Sequence, residues 1–220
     1  MTAQDITTPR IVVLVSGSGS NLQALINATR ERDFPGEIVA VGCNRPDAYA
    51  LERAKQAGIE TFTVDHTLFD SREGFDVALK AEIERHSPDV LVLAGFMRIL
   101  TADFVRAFHG IMLNIHPSLL PKYTGLNTHQ RALDAGDETH GVSIHFVTED
   151  LDGGPVIAQA EVNIASDDTA ETLAGKVLTK EHILYPIVLR WFCEGRLQLL
   201  GDQACFDGHP IPRPMVLSAD

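Results

Sequence analysis

Cysteine is scarce in this chain: Cys43, Cys193 and Cys205 are the only three in 220 residues. No two are close in sequence. There is neither a disulfide framework nor a CxxC metal knuckle, and a reducing compartment is the simpler setting. Long apolar runs are also missing. No window reaches the roughly 18 apolar residues of a membrane helix. Residues 1–9 are polar, without the basic start and apolar stretch of a signal peptide. The expectation is a cytoplasmic protein with no membrane partner and a loosely held segment at 1–9. Positive charge is in deficit. Lys and Arg total 18 against 30 Asp and Glu, a formal net charge of −12. A surface of that sign does not cover nucleic acid or an anionic membrane. It does not exclude a small anionic substrate, which needs only a local cluster of donors.

What is present is ordinary for a globular chain: 45% hydrophobic and 22% charged residues, enough for one sizeable core. Apolar runs at 10–15, 37–42, 59–64, 89–94 and 111–115 read as strands, and 22–28, 47–57 and 70–85 as helices. RIVVLV at 10–15 has the continuous β-branched character of a strand buried on both faces. This rhythm predicts parallel βαβ units. Strands at 141–147 and 155–164, joined by a Gly-containing turn, are placed to pair antiparallel. A long helix follows at 169–193, with Pro186 expected to kink or interrupt it. The predicted fold is α/β, Rossmann-like: a mostly parallel open sheet with flanking helices and an antiparallel part in the C-terminal half. It is read as a single domain at 10–200, with halves 10–110 and 111–200, and a tail at 201–220.

Several places carry chemistry. Gly17-Ser18-Gly19-Ser20-Asn21 follows a buried strand and opens a helix. Ser20 and Gln23 are spaced as a capping box. The turn either binds a phosphate on free helix amides or is a plain tight βα turn. It fails the dinucleotide test, with Leu22 where the third Gly would fall. Asn114 and His116 share one face of a strand that ends at Pro117. An imidazole there suits proton transfer, and an amide suits an oxyanion. Asp152 lies in a Gly-rich turn, and sequence leaves open whether it meets His116. Glu181 sits on an otherwise apolar helical stripe, at its edge or placed to hold a cation. Met97, Arg98, Ile99 and Leu100 read either as packing or as an apolar slot for a flat ring. His109, His129, His140, His145 and His182 lack metal-motif context, so no metal is expected.

The strings VLVSGSGSNLQALI (13–26), LAGFMRIL (93–100), LNIHPSLLPKYTG (113–125) and HGVSIHFVTEDLDGGPVIAQ (140–159) together resemble the 10-formyltetrahydrofolate-dependent formyltransferases. The resemblance covers about residues 10–195, and the glycine turn resembles the branch that formylates glycinamide ribonucleotide. It implies formyl transfer from 10-formyltetrahydrofolate to that amine, in purine biosynthesis. It implies a phosphate-binding first half, and a catalytic and folate-binding second half. Asn114, His116 and Asp152 would be the catalytic trio. Gly19, Ser20, Asn21 and Glu181 would hold the ribonucleotide. Arg72, Met97, Arg98, Ile99, Leu100, Asn114, His145, Val147, Thr148 and Asp152 would hold the folate. Thr124 and Asn127 depart from the usual loop pattern at 121–129. Length and charge are expected to exclude family members that carry an added domain or act on tRNA. The protein is expected to be a monomer or homodimer.

Overall fold

The computed structural model describes residues 8–217, so most of the 1–9 segment and residues 218–220 lie outside the described residues. Strands β1 (Arg10–Val15), β2 (Glu37–Cys43), β3 (Glu60–Thr63) and β4 (Val90–Leu93) alternate with helices α1 (Ser20–Thr29), α2 (Tyr49–Gln56) and α3 (Arg72–Glu84). A short α4 (Ala102–Ala107) leads to β5 (Met112–His116), and α5 (Thr128–Asp134) leads to β6 (Thr139–Phe146) and β7 (Val156–Asn163). The long α6 (Ala170–Cys193) precedes β8 (Leu197–Leu200), β9 (Gln203–Phe206), β10 (His209–Pro210) and β11 (Met215–Leu217).

Eight strands form the main sheet in the order β11-β7-β6-β5-β4-β1-β2-β3. Strands β1 to β5 pair in parallel. Strand β6 runs antiparallel to both β5 and β7, and β11 adds a parallel edge to β7. Strands β8, β9 and β10 make a small antiparallel sheet. The predicted tail thus contributes strands to both sheets among the described residues.

The unbroken apolar run of β1 is explained by two cores. Ile11, Val13 and Val15 pack into a cluster that includes α1 and α6 side chains. Val12 and Leu14 point the other way, into a cluster with Phe75, Leu79 and Phe104 from α3 and α4. Alternation along a strand with both faces covered leaves no position for a polar residue.

Helix α6 runs without a break through Pro186, so of the expected kink or interruption the interruption does not occur. Proline removes a helical hydrogen bond and crowds the preceding turn. Here Leu173 and Val177 before it and Val188 and Leu189 after it are buried in one cluster, and that packing holds the two halves together. Tyr185 is fully buried, with its hydroxyl 3.0 Å from the Leu93 carbonyl and 3.1 Å from that of Leu113. One side chain thereby ties α6 to the ends of β4 and β5. Burial pushes its phenol well above the ordinary value, so it stays a donor. Tyr185→Phe leaves these carbonyls without that donor. It is expected to lower the unfolding free energy by about 1–2 kcal/mol, read from urea denaturation.

Candidate active site

The strand order places β2 on one side of β1 and β4 on the other. Crossovers from neighbouring strands leave in opposite directions there, which opens a crevice at the carboxyl ends. A cleft of about 690 Å³ occupies it, lined by 17–21 together with Asn44, Asp65, Ala94, Gly95, Met97 and Arg98 among others. Ser16 holds its floor. The Ser16 hydroxyl donates to Asn44 Oδ1 at 2.6 Å and accepts from the Met97 N–H at 2.8 Å. The ends of three strands are joined by one side chain.

Helix α1 starts at Ser20, two residues earlier than its apolar pattern predicts, and its N-cap is Gly19. Gly19 has φ 72° and no side-chain cap. The expected Ser20/Gln23 capping box therefore does not form: Ser20 is already inside the helix. The unpaired amides of the first turn are left for a ligand rather than for a serine hydroxyl. Gly19 is also required sterically, since a Cβ there would lie 2.7 Å from Ala50 Cβ. Gly17 differs. A Cβ on Gly17 would meet no protein atom within 4 Å, so protein packing does not demand the glycine, and the open space is the cleft's own.

Asn21 is buried beside this turn and donates from Nδ2 to Glu181 Oε2 at 2.6 Å, while its Oδ1 has no protein partner. Burial pushes the Glu181 carboxyl up, against the lowering effect of that hydrogen bond. The carboxylate on the apolar face of α6 is thus paired with the amide of the glycine turn, 160 residues away.

The second cluster forms where β5 meets β6. Antiparallel register sets Asn114 opposite His145, and Asn114 Nδ2 lies 3.1 Å from His145 Nε2. His145 Nδ1 lies 2.8 Å from the Phe146 carbonyl. A donor is needed on Nδ1, so Nε2 is the acceptor for Asn114. Burial first of all pushes the His145 imidazole down, in keeping with a neutral ring. His116 Nδ1 lies 3.4 Å from Asp152 Oδ2, and His116 Nε2 lies 2.8 Å from the Tyr123 carbonyl. Both ring nitrogens face oxygen atoms, Nε2 at hydrogen-bond distance from a carbonyl and Nδ1 at ion-pair distance from a carboxylate. Asp152, at φ 52°, also accepts from the Gly125 N–H at 2.8 Å. Asn114, His116 and Asp152 are brought together.

A narrower cleft adjoins them, lined by Arg98, Ile99, Leu100, Asn114, His145, Val147, Thr148 and Asp152, with Leu93, Phe96 and Val105. Arg98 lines both clefts, so they meet along the segment after β4. Its Nε is buried without a partner, and its guanidinium lies 5.7 Å from the Phe75 ring. Met97 lines the larger cleft instead. Arg72 is exposed at the start of α3 and lines neither cleft; Glu181 lines neither and reaches the site through Asn21.

Several contributors escaped the sequence reading. Ser16 and Asn44 carry no motif that marks them as partners. Tyr123 and Gly125 act through backbone atoms, which leave little mark on residue choice beyond the positive φ values of 56° and 78°. Behind His116 lies a histidine pair, His129 Nδ1 to His140 Nε2 at 3.1 Å. The His140 imidazole is pushed down to about 4, by burial first and then by His129.

The fold is a Rossmann-like sheet with a crevice at its glycine turn and a cluster of Asn114, His116, His145 and Asp152 on its antiparallel side. Residues 9–189 match the formyl transferase family, and the chain belongs to it. It is 53% identical over 210 residues to the phosphoribosylglycinamide formyltransferase of Escherichia coli (strain K12), covering 96% of this chain and 99% of that one. It is 46% identical over 190 residues to the bovine trifunctional purine biosynthetic protein adenosine-3, covering 86% of this chain and 19% of that one. Among solved structures, phosphoribosylglycinamide formyltransferase from Coxiella burnetii in complex with CHES superposes with a TM-score of 0.90 at 52% identity, covering 94% and 98% of the two chains.

Two outcomes test this geometry. Gly17→Ala is expected to shift the melting temperature by no more than about 2 °C, yet to weaken binding of inorganic phosphate severalfold in a calorimetric titration. His140 supplies the second. Its folded-state value lies below the ordinary 6.5, so the unfolded chain takes up the proton first as pH falls. Its contribution is full above about pH 6.5 and is lost on descent toward pH 4, and His140→Gln is expected to flatten that part of the urea-midpoint profile.

Proposed function

We propose that the chain transfers the formyl group of 10-formyltetrahydrofolate to the amine of 5′-phosphoribosylglycinamide, in de novo purine biosynthesis. The carrying observation is the meeting of Asn114, His116 and Asp152 beside an amide-lined crevice. Family membership and the identity to phosphoribosylglycinamide formyltransferases over nearly the whole chain support the same reading. Gly19, Ser20 and Asn21 are assigned to the substrate phosphate, where backbone amides and the α1 dipole need no cationic side chain. Glu181, buried against Asn21, is assigned to the glycinamide amine.

The folate is assigned to the narrower cleft. Its walls fit a flat ring: Leu93, Phe96, Leu100, Val105 and Val147 supply apolar surface, and Asn114, His145 and Asp152 supply polar groups. Arg98 Nε, buried and unpartnered, is a donor for the polar end of such a ligand. Exposed Arg72 is assigned to the anionic tail outside the cleft. When bound, the folate supplies the formyl group. The protein's part is positioning and charge. Asn114 holds one amide proton on His145 and keeps the other for the formyl oxygen. His116 turns to the negative charge that develops there once its Nε2 is released from the Tyr123 carbonyl, takes the proton that the attacking amine gives up and delivers one to the leaving nitrogen. Asp152 orients that ring. All of this is done by side chains, with no metal assigned. The reaction is placed in the cytoplasm, by a monomer or homodimer acting on small molecules.

Formyl transfer followed spectroscopically tests the reading. His116→Ala and Asp152→Asn are expected to lower kcat by on the order of 10²-fold or more, with melting curves near wild type. EDTA is expected to leave the rate unchanged. Near-wild-type turnover by either folded variant would overturn the assignment, and phosphate binding without any transfer would favour a ligand sensor.

A further inference from the structure

The amides of the glycine turn face the cleft because the carbonyls of the same peptides are engaged behind it. A trans peptide points its C=O and the following N–H in opposite directions. Holding a carbonyl on the back therefore aims the next amide at the front. Three successive carbonyls are held this way. Gly17 O accepts from the Ala50 N–H at 3.1 Å and Gly19 O from the Gln23 N–H at 2.9 Å. Ser18 O accepts from Arg53 Nε at 2.8 Å. The middle peptide, which carries the Gly19 amide, is thus held by a side chain alone.

Arg53 is built into this position. Its Nη1 continues to Gln23 Oε1 at 3.2 Å, in the first turn of α1. Its guanidinium lies 4.9 Å from the centroid of the Tyr49 ring, one turn earlier on α2. A Cβ on Gly19 would approach Arg53 Cδ to 3.3 Å, so the missing side chain leaves room for the arginine as well as for Ala50. Arg53 lines a separate groove with Ser20, Gln23 and His182, and is absent from the lining of the substrate-side cleft. The loop stands between it and any bound phosphate.

Resting on the formyl-transfer reading above, we propose that Arg53 is the positioning residue of the phosphate loop. It fixes the Ser18–Gly19 peptide so that its amide points into the cleft, and it sets a positive charge behind the loop without touching substrate. The guanidinium is half-buried behind the loop, so its charge is screened less than one on open surface. A chain of net charge −12 gains a local positive field in this way.

Steady-state kinetics on wild type, Arg53→Met and Arg53→Lys, with calorimetric titration of inorganic phosphate, test the proposal. Arg53→Met is expected to raise KM for glycinamide ribonucleotide and Kd for phosphate by about tenfold. The folate KM and kcat are expected to stay within about twofold of wild type. Arg53→Lys keeps the charge but loses the planar fork, and is expected to recover part of both. Unchanged nucleotide KM and phosphate Kd in Arg53→Met would overturn the proposal. So would equal losses in kcat and in both KM values, which mark general loosening. If Arg53→Met does not fold, Arg53→Lys decides: a severalfold weaker phosphate site at a normal melting temperature supports the assignment, and an unchanged site overturns it. The titration needs no turnover. Weakened phosphate binding in a protein that transfers no formyl group would support Arg53 and overturn the functional reading; the converse result would do the reverse.

Discussion

The amides in the first turn of an α-helix have no partner within the helix, and this molecule is arranged around that shortage. After β1 the chain turns through Gly19 in a left-handed conformation and enters α1 with no side-chain cap. The first-turn donors are left without a side-chain cap. Everything close by serves to keep them free and aimed. Helix α2 occupies the carbonyls behind the turn. Ser16 pins the neighbouring strand ends. Asn21, in the first turn, donates to Glu181 from α6. The proposed anion site is mostly backbone, so it is compatible with a chain of net charge −12.

The chemistry sits on the other half of the sheet, where direction changes. Parallel strands would put the residue opposite Asn114 on a strand reached by a crossover. The antiparallel pairing of β5 and β6 instead puts His145 directly across from it, and the β6–β7 turn returns Asp152 to His116. The turn needs its glycines: a Cβ on Gly154 would lie 1.8 Å from the Phe146 carbonyl oxygen. The loop at 121–129 closes the cluster through the Tyr123 carbonyl and the Gly125 amide. Thr124 and Asn127, the unusual residues of that loop, are both exposed. The Thr124 carbonyl accepts from Arg131, and Asn127 takes φ 58° before α5.

The β1 run was legible because burial on both faces demands an unbroken apolar stretch, and the β6–β7 pair because a Gly-containing turn separated two strands. The extent of α6 was legible too, but not its continuity through Pro186, which depends on packing against strands far away in sequence. The capping box was misread for a related reason. Ser20 and Gln23 have the right spacing, yet the helix begins one residue too early for that pairing. The glycine at the N-cap is required by α2, against which a Cβ there would clash, and no local pattern contains that contact.

The sequence by itself determined the alternation of strands and helices, the glycine turn after β1, and the shared face of Asn114 and His116. Each of these is a matter of short-range periodicity or backbone sterics. It also carried, through four motifs, the resemblance to formyltransferases. Only the tertiary structure decided that Asp152 meets His116, that Glu181 pairs with Asn21, and that Arg53 stands behind the glycine turn. Each of these contacts joins residues from separate elements, 35 to 160 positions apart. Side-chain identity says which groups could pair, but the register of the sheet and the packing of helices upon it choose the pairs.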